Sequence, residues 1–328
     1  MSKSIIKIGT RDSELALWQA KTVEKQLNDL GIKTQIIAVK SQGDLQLNKP
    51  LYELGITGIF TKTLDIAMLN GEIDIAVHSM KDVPTALPQG IIQSAVLERA
   101  NHTDILVHKG NFDFLKKCTI ATGSLRRQAQ WLNKYPHHKT VDLRGNVNSR
   151  LQKLQDNDWA GAIFAEAGLQ RLGFTSALSK EEGVLTANST INVKSHSFDG
   201  VGEALNWMTP APAQGAMMVV TMANDNFTTE AVRELNHLET DICTYIERQF
   251  LRTLEGGCTA PIGAFCQIIE DDIQFSGNLL AIDGSQKIEV NKTVPLQDWK
   301  KLGFNLAQEI LQNGGAELMK TIKEKLKK

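Results

Sequence analysis

The apolar positions of this chain switch repeatedly between two spacings: short unbroken runs and stripes that recur every three or four residues. Residues 5–8 read as a buried strand. Leu15, Trp18, Val23, Leu27 and Leu30 then recur near helical spacing over residues 14–30, and Gly31 stops that helix. A strand over 34–39, a helix over 59–70 closed by Gly71, and a strand over 73–77 that is apolar on both faces continue the alternation. Strands and helices in turn, with two-faced strands, predict an open parallel sheet. Between them, residues 41–60 carry Gly43, Pro50, Gly55 and Gly58, too many breakers for a regular element. A loop of that length inside a compact domain reads as a lid or a binding loop.

The pattern restarts near residue 95, with strands expected at 119–121, 140–143 and 160–165, each followed by a turn and a helix. Residues 173–207 show no clear core signal. Pro210, Pro212 and Gly215 mark a crossing into a strand at 216–222, which is expected to return to the first lobe, as in two-lobed ligand-binding folds. Past Asn224 come helices at 229–238 and 241–254, strands at 264–269, 273–281 and 287–292, and further helices to the end. Strands grouped with strands and helices with helices indicate α+β. The expected fold is therefore α/β: two doubly wound lobes resembling two-lobed periplasmic-type binding proteins, plus a C-terminal α+β domain. The expected boundaries are 1–95 with 210–222, 96–209, and 223–328.

Composition narrows the function. The 328 residues, 42% of them hydrophobic, can supply a core for each of three domains. The charges nearly cancel, 36 Lys and Arg against 37 Asp and Glu, which argues against bulk attraction to nucleic acid or membrane but leaves room for a local basic site. Four cysteines without a C-x-x-C spacing read as reduced intracellular thiols. The N-terminus runs straight into a strand and no apolar run is long enough to span a bilayer, so a soluble cytoplasmic protein is expected.

Three stretches carry candidate chemistry. In Leu-Glu-Gly-Gly-Cys-Thr-Ala-Pro (residues 254–261), Cys258 follows two glycines and precedes a proline, a punctuation that places its sulfur outward on a tight turn. Such a thiol is available either as a nucleophile or as an attachment point, whereas Cys118, Cys243 and Cys266 sit in or beside apolar runs as core residues do. His-Ser-Met-Lys-Asp-Val-Pro (residues 78–84) emerges at the carboxyl end of a strand, where ligands of open α/β sheets bind. Val83 and Pro84 keep Lys81 and Asp82 on irregular backbone. An exposed Lys–Asp ion pair would contribute little, but the location favours function. Between Thr119 and Leu151 there are six basic residues (Arg126, Arg127, Lys134, Lys139, Arg144 and Arg150) against one acid, Asp142. Lys134 and Lys139 read as a solvated face, whereas the arginines recur at the same end of successive strands and suit carboxylates or phosphates. Only Trp131 and Tyr135 could offer RNA a stacking platform there, so a small polyanion is the expected ligand.

Taken together, Gly-Thr-Arg-Asp-Ser (9–13), His-Ser-Met-Lys-Asp-Val-Pro (78–84), Ser-Leu-Arg-Arg-Gln (124–128), Leu-Arg-Gly-Asn-Val (143–147), Pro-Ala-Gln-Gly-Ala (212–216) and Leu-Glu-Gly-Gly-Cys (254–258) resemble the porphobilinogen deaminase (hydroxymethylbilane synthase) family in order and in register. The resemblance implies an enzyme of tetrapyrrole biosynthesis that joins four porphobilinogen molecules head to tail, releases ammonia at each step, and delivers linear hydroxymethylbilane. It implies a dipyrromethane cofactor, made from the enzyme's own substrate and thioether-linked to the cysteine matching Cys258. Asp82 matches the family's catalytic aspartate. Loss of ammonia leaves an electron-poor azafulvene cation, which a fixed carboxylate near the pyrrole N–H groups stabilises. Arg126, Arg127 and Arg144, with Ser79, Lys81, Thr122 and Ser124, match cofactor-side positions. Arg11, Ser13, Arg150, Arg171 and Phe60 match positions toward the incoming substrate and growing chain. Each pyrrole carries acetate and propionate arms, so the arginines suit its carboxylates.

The family's glycine-rich loop often carries a lysine where this chain has Thr57; just after the loop the family often has a glutamate where this chain has Thr63, and before Ser124 a serine where it has Gly123. No metal is implied, nor a nucleic-acid or membrane partner, and a monomer is expected. Two rivals remain for comparison. A solute-binding protein of the same shape would have no use for the Cys258 turn, and a cysteine hydrolase would need a base such as His78 beside it.

Overall fold

In this computed structural model, residues 5–39, 61–110, 112–175, 190–254 and 260–326 are described. Most of the glycine-rich loop with Thr57 and Phe60, most of the long segment after Ser176, and the turn bearing Cys258 lie outside the described residues.

The first lobe begins with β1 (Ile6–Arg11), α1 (Glu14–Asp29), β2 (Thr34–Val39), α2 (Lys62–Leu69), β3 (Ile75–Ser79) and β4 (Ile91–Val96). The second contains β5 (Asp104–His108), β6 (Thr119–Ala121), α3 (Leu125–Lys134), β7 (Lys139–Val141), α4 (Val147–Asp156), β8 (Gly161–Ala165), α5 (Glu166–Arg171), β9 (Thr190–Ser195) and β10 (Phe198–Ala204). Then come β11 (Met217–Met222), α6 (Asn226–Arg233), α7 (Leu238–Thr253), β12 (Ile262–Ile269), β13 (Asp272–Leu280), β14 (Lys287–Pro295), α8 (Leu302–Ile310) and α9 (Ala316–Leu326).

The first sheet has the order β2-β1-β3-β11-β4, and the crossing strand β11 lies antiparallel between β3 and β4. Period-two alternation explains why β3 and β11 are apolar on both faces. Ile75, Val77, Met217 and Val219 pack with Val23 and Leu27 of α1, while Ala76, Met218 and Val220 pack with Leu64 and Met68 of α2. Each fully buried side chain of this size contributes about 1.5–3 kcal/mol, so a polar residue on either face would be destabilising.

The second sheet has the order β7-β6-β8-β5-β10-β9. Here too an all-parallel sheet is not what forms. Strands β6, β7 and β8 are parallel, but β5, β10 and β9 join by antiparallel pairing. The departure begins at β5, which is buried throughout and antiparallel to both β8 and β10, and extends into the segment without a visible pattern. There Ser195 and Phe198 close a hairpin between β9 and β10 whose buried apolar residues, Ile191, Val193, Phe198 and Ala204, are too widely spaced to register as a core run.

The C-terminal part is α+β: the antiparallel sheet β12-β13-β14 packs against α7, α8 and α9 around Phe250, Phe275, Leu306 and Ile310. Trp131, expected as a possible stacking platform, is fully buried among Phe114, Tyr135 and Trp207 and offers no face to a base. Cys243 and Cys266 are buried, as their surroundings predict, and Cys118 is half-buried.

Candidate active site

The carboxyl ends of the parallel strands in the two sheets face one another across a cavity of about 220 Å³. Strand β1 ends at Arg11, which lines it, and Ser13 begins α1 at its edge. Strand β3 delivers Ser79, followed by one 3-10 turn, Met80–Asp82, that puts Lys81 and Asp82 on the wall. Val83 is extended and Pro84 follows, so the turn cannot grow into a helix. From the second lobe come Arg127 in the first turn of α3, Arg144 after β7, Arg150 in α4 and Arg171 at the end of α5. Nine of the residues expected from sequence thus meet in one cleft: Arg11, Ser13, Ser79, Lys81, Asp82, Arg127, Arg144, Arg150 and Arg171.

Three others stand behind the wall. Arg126 is buried, donating from Nη1 to Asp104 Oδ2 at 2.7 Å and to the Thr209 carbonyl at 2.8 Å. Ser124 is the N-cap of α3, its Oγ accepting from the Arg127 amide at 3.5 Å. Thr122 is buried, and its Oγ1 accepts from the Ser124 amide. Gly123 between them has a packing reason: a Cβ there would stand 2.6 Å from the Leu143 carbonyl oxygen. Cys258 and Phe60 lie outside the described residues.

Beneath the arginines lies a residue that the motifs do not single out. Asp104, fully buried at the start of β5, accepts from Arg126, from Arg127 Nε and Nη2 at 3.1 and 2.7 Å, and from Gln214 Nε2 at 2.8 Å. Burial alone would raise its carboxyl, but the two guanidiniums and their hydrogen bonds outweigh that and hold it well below the usual carboxylate range. Gln214 completes the base of the cleft, its Oε1 accepting from Lys81 Nζ at 3.3 Å. The neighbouring Gly215 has φ +89°, and a Cβ there would meet the Ala100 carbonyl at 2.5 Å, so the turn entering β11 requires glycine.

The cleft is electrostatically tense. Burial lowers Lys81 to about 8, Arg127 pushes the same way, and Asp82 and Asp104 oppose it. Burial lowers Arg150 to about 10, with Arg127 acting in the same direction and Asp82 against it. Arg171 is also lowered to about 10 by burial. The Nε atoms of Arg150 and Arg171 are buried with no hydrogen-bond acceptor among the described residues, and such groups are destabilising until an anion accepts from them. His78 is buried within β3 and is lowered to about 4, first by burial and then by Arg11, which suits packing better than general-base work.

Three contacts bridge the lobes at the rim. Asn148 Nδ2 donates to Glu14 Oε2 at 2.5 Å, and the Arg171 guanidinium lies 5.5 Å from the centre of the Trp18 ring while donating to the Gly215 carbonyl at 2.7 Å. The C-terminal part grips the same region from behind. Glu247 of α7 is fully buried and accepts from Arg99 Nη1 and Nη2 (2.8 and 2.7 Å), the Ala213 amide (2.6 Å) and the Cys266 amide (2.7 Å). Sequence offers a signal for it, a lone acid among Cys243, Ile246, Phe250 and Leu251 on the buried stripe of a helix. Asp104 has only a faint one, an acid opening an apolar strand.

Residues 6–230 match the family model described as porphobilinogen deaminase, dipyromethane cofactor binding domain, and residues 242–312 match porphobilinogen deaminase, C-terminal domain. The protein named porphobilinogen deaminase from Chloroherpeton thalassium is 34% identical over 328 residues, covering 97% of this chain and 98% of its own. The protein of the same name from Carboxydothermus hydrogenoformans is 36% identical over 328 residues and covers 98% of each chain. Among solved structures, the Bordetella pertussis BvgS periplasmic VFT2 domain overlaps at a TM-score of 0.40 with 12% identity, covering 71% of this chain and 86% of that domain.

Proposed function

The chain belongs to the porphobilinogen deaminase family, and from that premise we propose that it condenses four porphobilinogen molecules into linear hydroxymethylbilane in the cleft between its lobes. The observation that carries the assignment to this cleft is that six cationic side chains, Arg11, Lys81, Arg127, Arg144, Arg150 and Arg171, line the cavity that Asp82 also lines.

The residues present fit a dipyrromethane cofactor, a group with two carboxylate arms on each ring. The cleft offers cations in excess of anions, and two of its guanidiniums have buried Nε donors without acceptors. Arg127, Arg144, Lys81 and Ser79 would hold it, with Arg126, Ser124 and Thr122 fixing that wall from behind. A thioether to Cys258 would anchor it, and when bound it supplies the free pyrrole α-carbon onto which each new ring is added. Arg11, Ser13, Arg150 and Arg171 then orient the carboxylate arms of the incoming monomer, and Phe60 is assigned to the same substrate.

In each cycle the aminomethyl C–N bond breaks and ammonia leaves with the bonding electrons. The methylene carbon left behind would bond to the ring held by the cofactor-side residues, and the proton displaced there would pass to solvent with the released ammonia, leaving the charge balance unchanged. Asp82 acts where the positive charge develops. Its carboxylate, close to Lys81 and Arg150, accepts from the pyrrole N–H and stabilises the cation. The same reading makes the protein a cytoplasmic monomer with no nucleic-acid or membrane partner, divided as 1–95 with 210–222, 96–209, and 223–328.

The test is an intact mass of freshly purified, active enzyme. One dipyrrole adduct is expected, carried on the peptide containing Cys258 and absent from Cys258→Ser. An unmodified mass in enzyme that turns over would refute the covalent primer.

A further inference from the structure

Asp82 can stabilise charge only if its short turn stays where it is, and that turn has little means of holding itself. It has one internal hydrogen bond, from the Val83 amide to the Met80 carbonyl at 3.1 Å. Pro84 has no N–H to continue the pattern. On one side the Met80 amide donates to the Ala216 carbonyl at 3.0 Å, tying the turn to the residue before β11. On the other side its carbonyls face α7, and one side chain meets them. Arg248 donates from Nη1 to the Val83 carbonyl at 2.9 Å and, more weakly, to the Met80 carbonyl at 3.4 Å, and from Nη2 to the Pro84 carbonyl at 2.6 Å. One guanidinium thus brackets Lys81 and Asp82 from both sides in sequence.

We propose that Arg248 is a positioning residue for the condensation: its fork fixes the Met80–Pro84 backbone so that the Asp82 carboxylate meets the developing cation. The proposal rests on the assignment of Asp82 as the charge-stabilising group. Glu247, the preceding residue, gives the arrangement its rigidity, since four donors converge on its buried carboxylate and fix the register of α7 against the first lobe. Arg248 transmits that register to the turn. A planar fork reaches separate carbonyls at once, which a lysine ammonium on a flexible stem does not reproduce. Misplacing a catalytic group by about 1 Å can slow a reaction about 100-fold, so the effect belongs in kcat.

The experiment compares Arg248→Gln and Arg248→Lys with wild type, as full-length enzyme loaded with cofactor and checked by intact mass. Arg248→Gln is expected to lower kcat for ammonia release about 10- to 100-fold, with KM changed less than about threefold. Arg248→Lys should recover only part of that loss. Amide exchange at Met80 and Val83 should rise in Arg248→Gln, while that of β12–β14 stays as in wild type. The deciding measurement repeats Arg248→Gln in the Asp82→Asn background, where kcat should fall no further than about twofold, because a residue that acts through Asp82 has nothing left to position. Equal losses in both backgrounds, or a wild-type kcat for loaded Arg248→Gln beside an impaired Asp82→Asn, would overturn the role of Arg248 alone. A wild-type kcat for Asp82→Asn would overturn the premise and the proposal together.

Discussion

Replacing Asp104 with asparagine preserves shape and removes one charge from the most enclosed part of the site. The carboxylate accepts four hydrogen bonds, three from the guanidiniums of Arg126 and Arg127 and one from Gln214. Arg126 and Arg127 are only 4% and 6% exposed, so without Asp104 they cannot recover their hydration. Removing one partner of a buried ion pair destabilises by about 3–5 kcal/mol. For a cooperative unit of 150–250 residues this corresponds to a midpoint about 6–20 °C lower, at about 2–4 °C per kcal/mol. The sign with pH follows from the depressed carboxyl. Its contribution is complete above the unfolded value of about 3.9 and is lost as pH falls through the lower folded value. The gap between wild type and Asp104→Asn, measured by calorimetry, should therefore be full at pH 7 and narrow only in acid. Arg126→Leu should destabilise similarly, and the double variant by clearly less than the sum. A midpoint within about 2 °C of wild type at pH 7, or additivity of the two changes, would refute this account of the buried triad.

Cofactor-loaded Asp82→Asn should fold normally and turn over about 100- to 1,000-fold more slowly, measured as ammonia release, since it keeps hydrogen bonding but loses charge. Because burial places Lys81 near 8, kcat/KM should fall on the alkaline side with an apparent pKa about there, as the ammonium deprotonates and its hold on carboxylates weakens. Lys81→Arg should move that limb to higher pH, and an unshifted limb would assign it to another group. Arg150→Leu and Arg171→Leu should retain the adduct yet stall with one or two added rings, visible as discrete enzyme masses, whereas loss of the adduct would assign both to the cofactor seat instead.

The sequence is most legible where a local rule meets a local cause. Helix α1 and strand β3 follow directly from apolar spacing, and Pro84 keeps Asp82 out of a helix. The arginines are visible because they recur at strand-to-helix turns. Their inequality is not visible, because what separates Arg126 from Arg150 is a carboxylate 22 positions before Arg126, at the start of another strand. A count of charges over residues 119–151 finds only Asp142 as a counter-ion and misses the one that matters. Arg248 is hidden for a similar reason, since its partners are backbone carbonyls more than 160 positions away, and carbonyls leave no trace in residue identity. The mixed pairing in the second sheet escapes notice because strand direction leaves no mark in residue identity: β5 is buried throughout, as a parallel strand would be.

The rim contacts set a rate as well as a shape. Among the described residues, closure at the rim draws on the side-chain hydrogen bond from Asn148 to Glu14 and on Arg171 reaching Trp18 and the Gly215 carbonyl. A hydrogen bond of this kind contributes about 1 kcal/mol and an exposed cation–π contact about 0.5–1 kcal/mol. Together they favour the shut form by about 2–3 kcal/mol, a ratio on the order of 30 to 150. A latch that weak is ajar for roughly one to three per cent of the time at equilibrium. Thermal opening against these contacts then gives monomers, ammonia and finished chains a route through the rim.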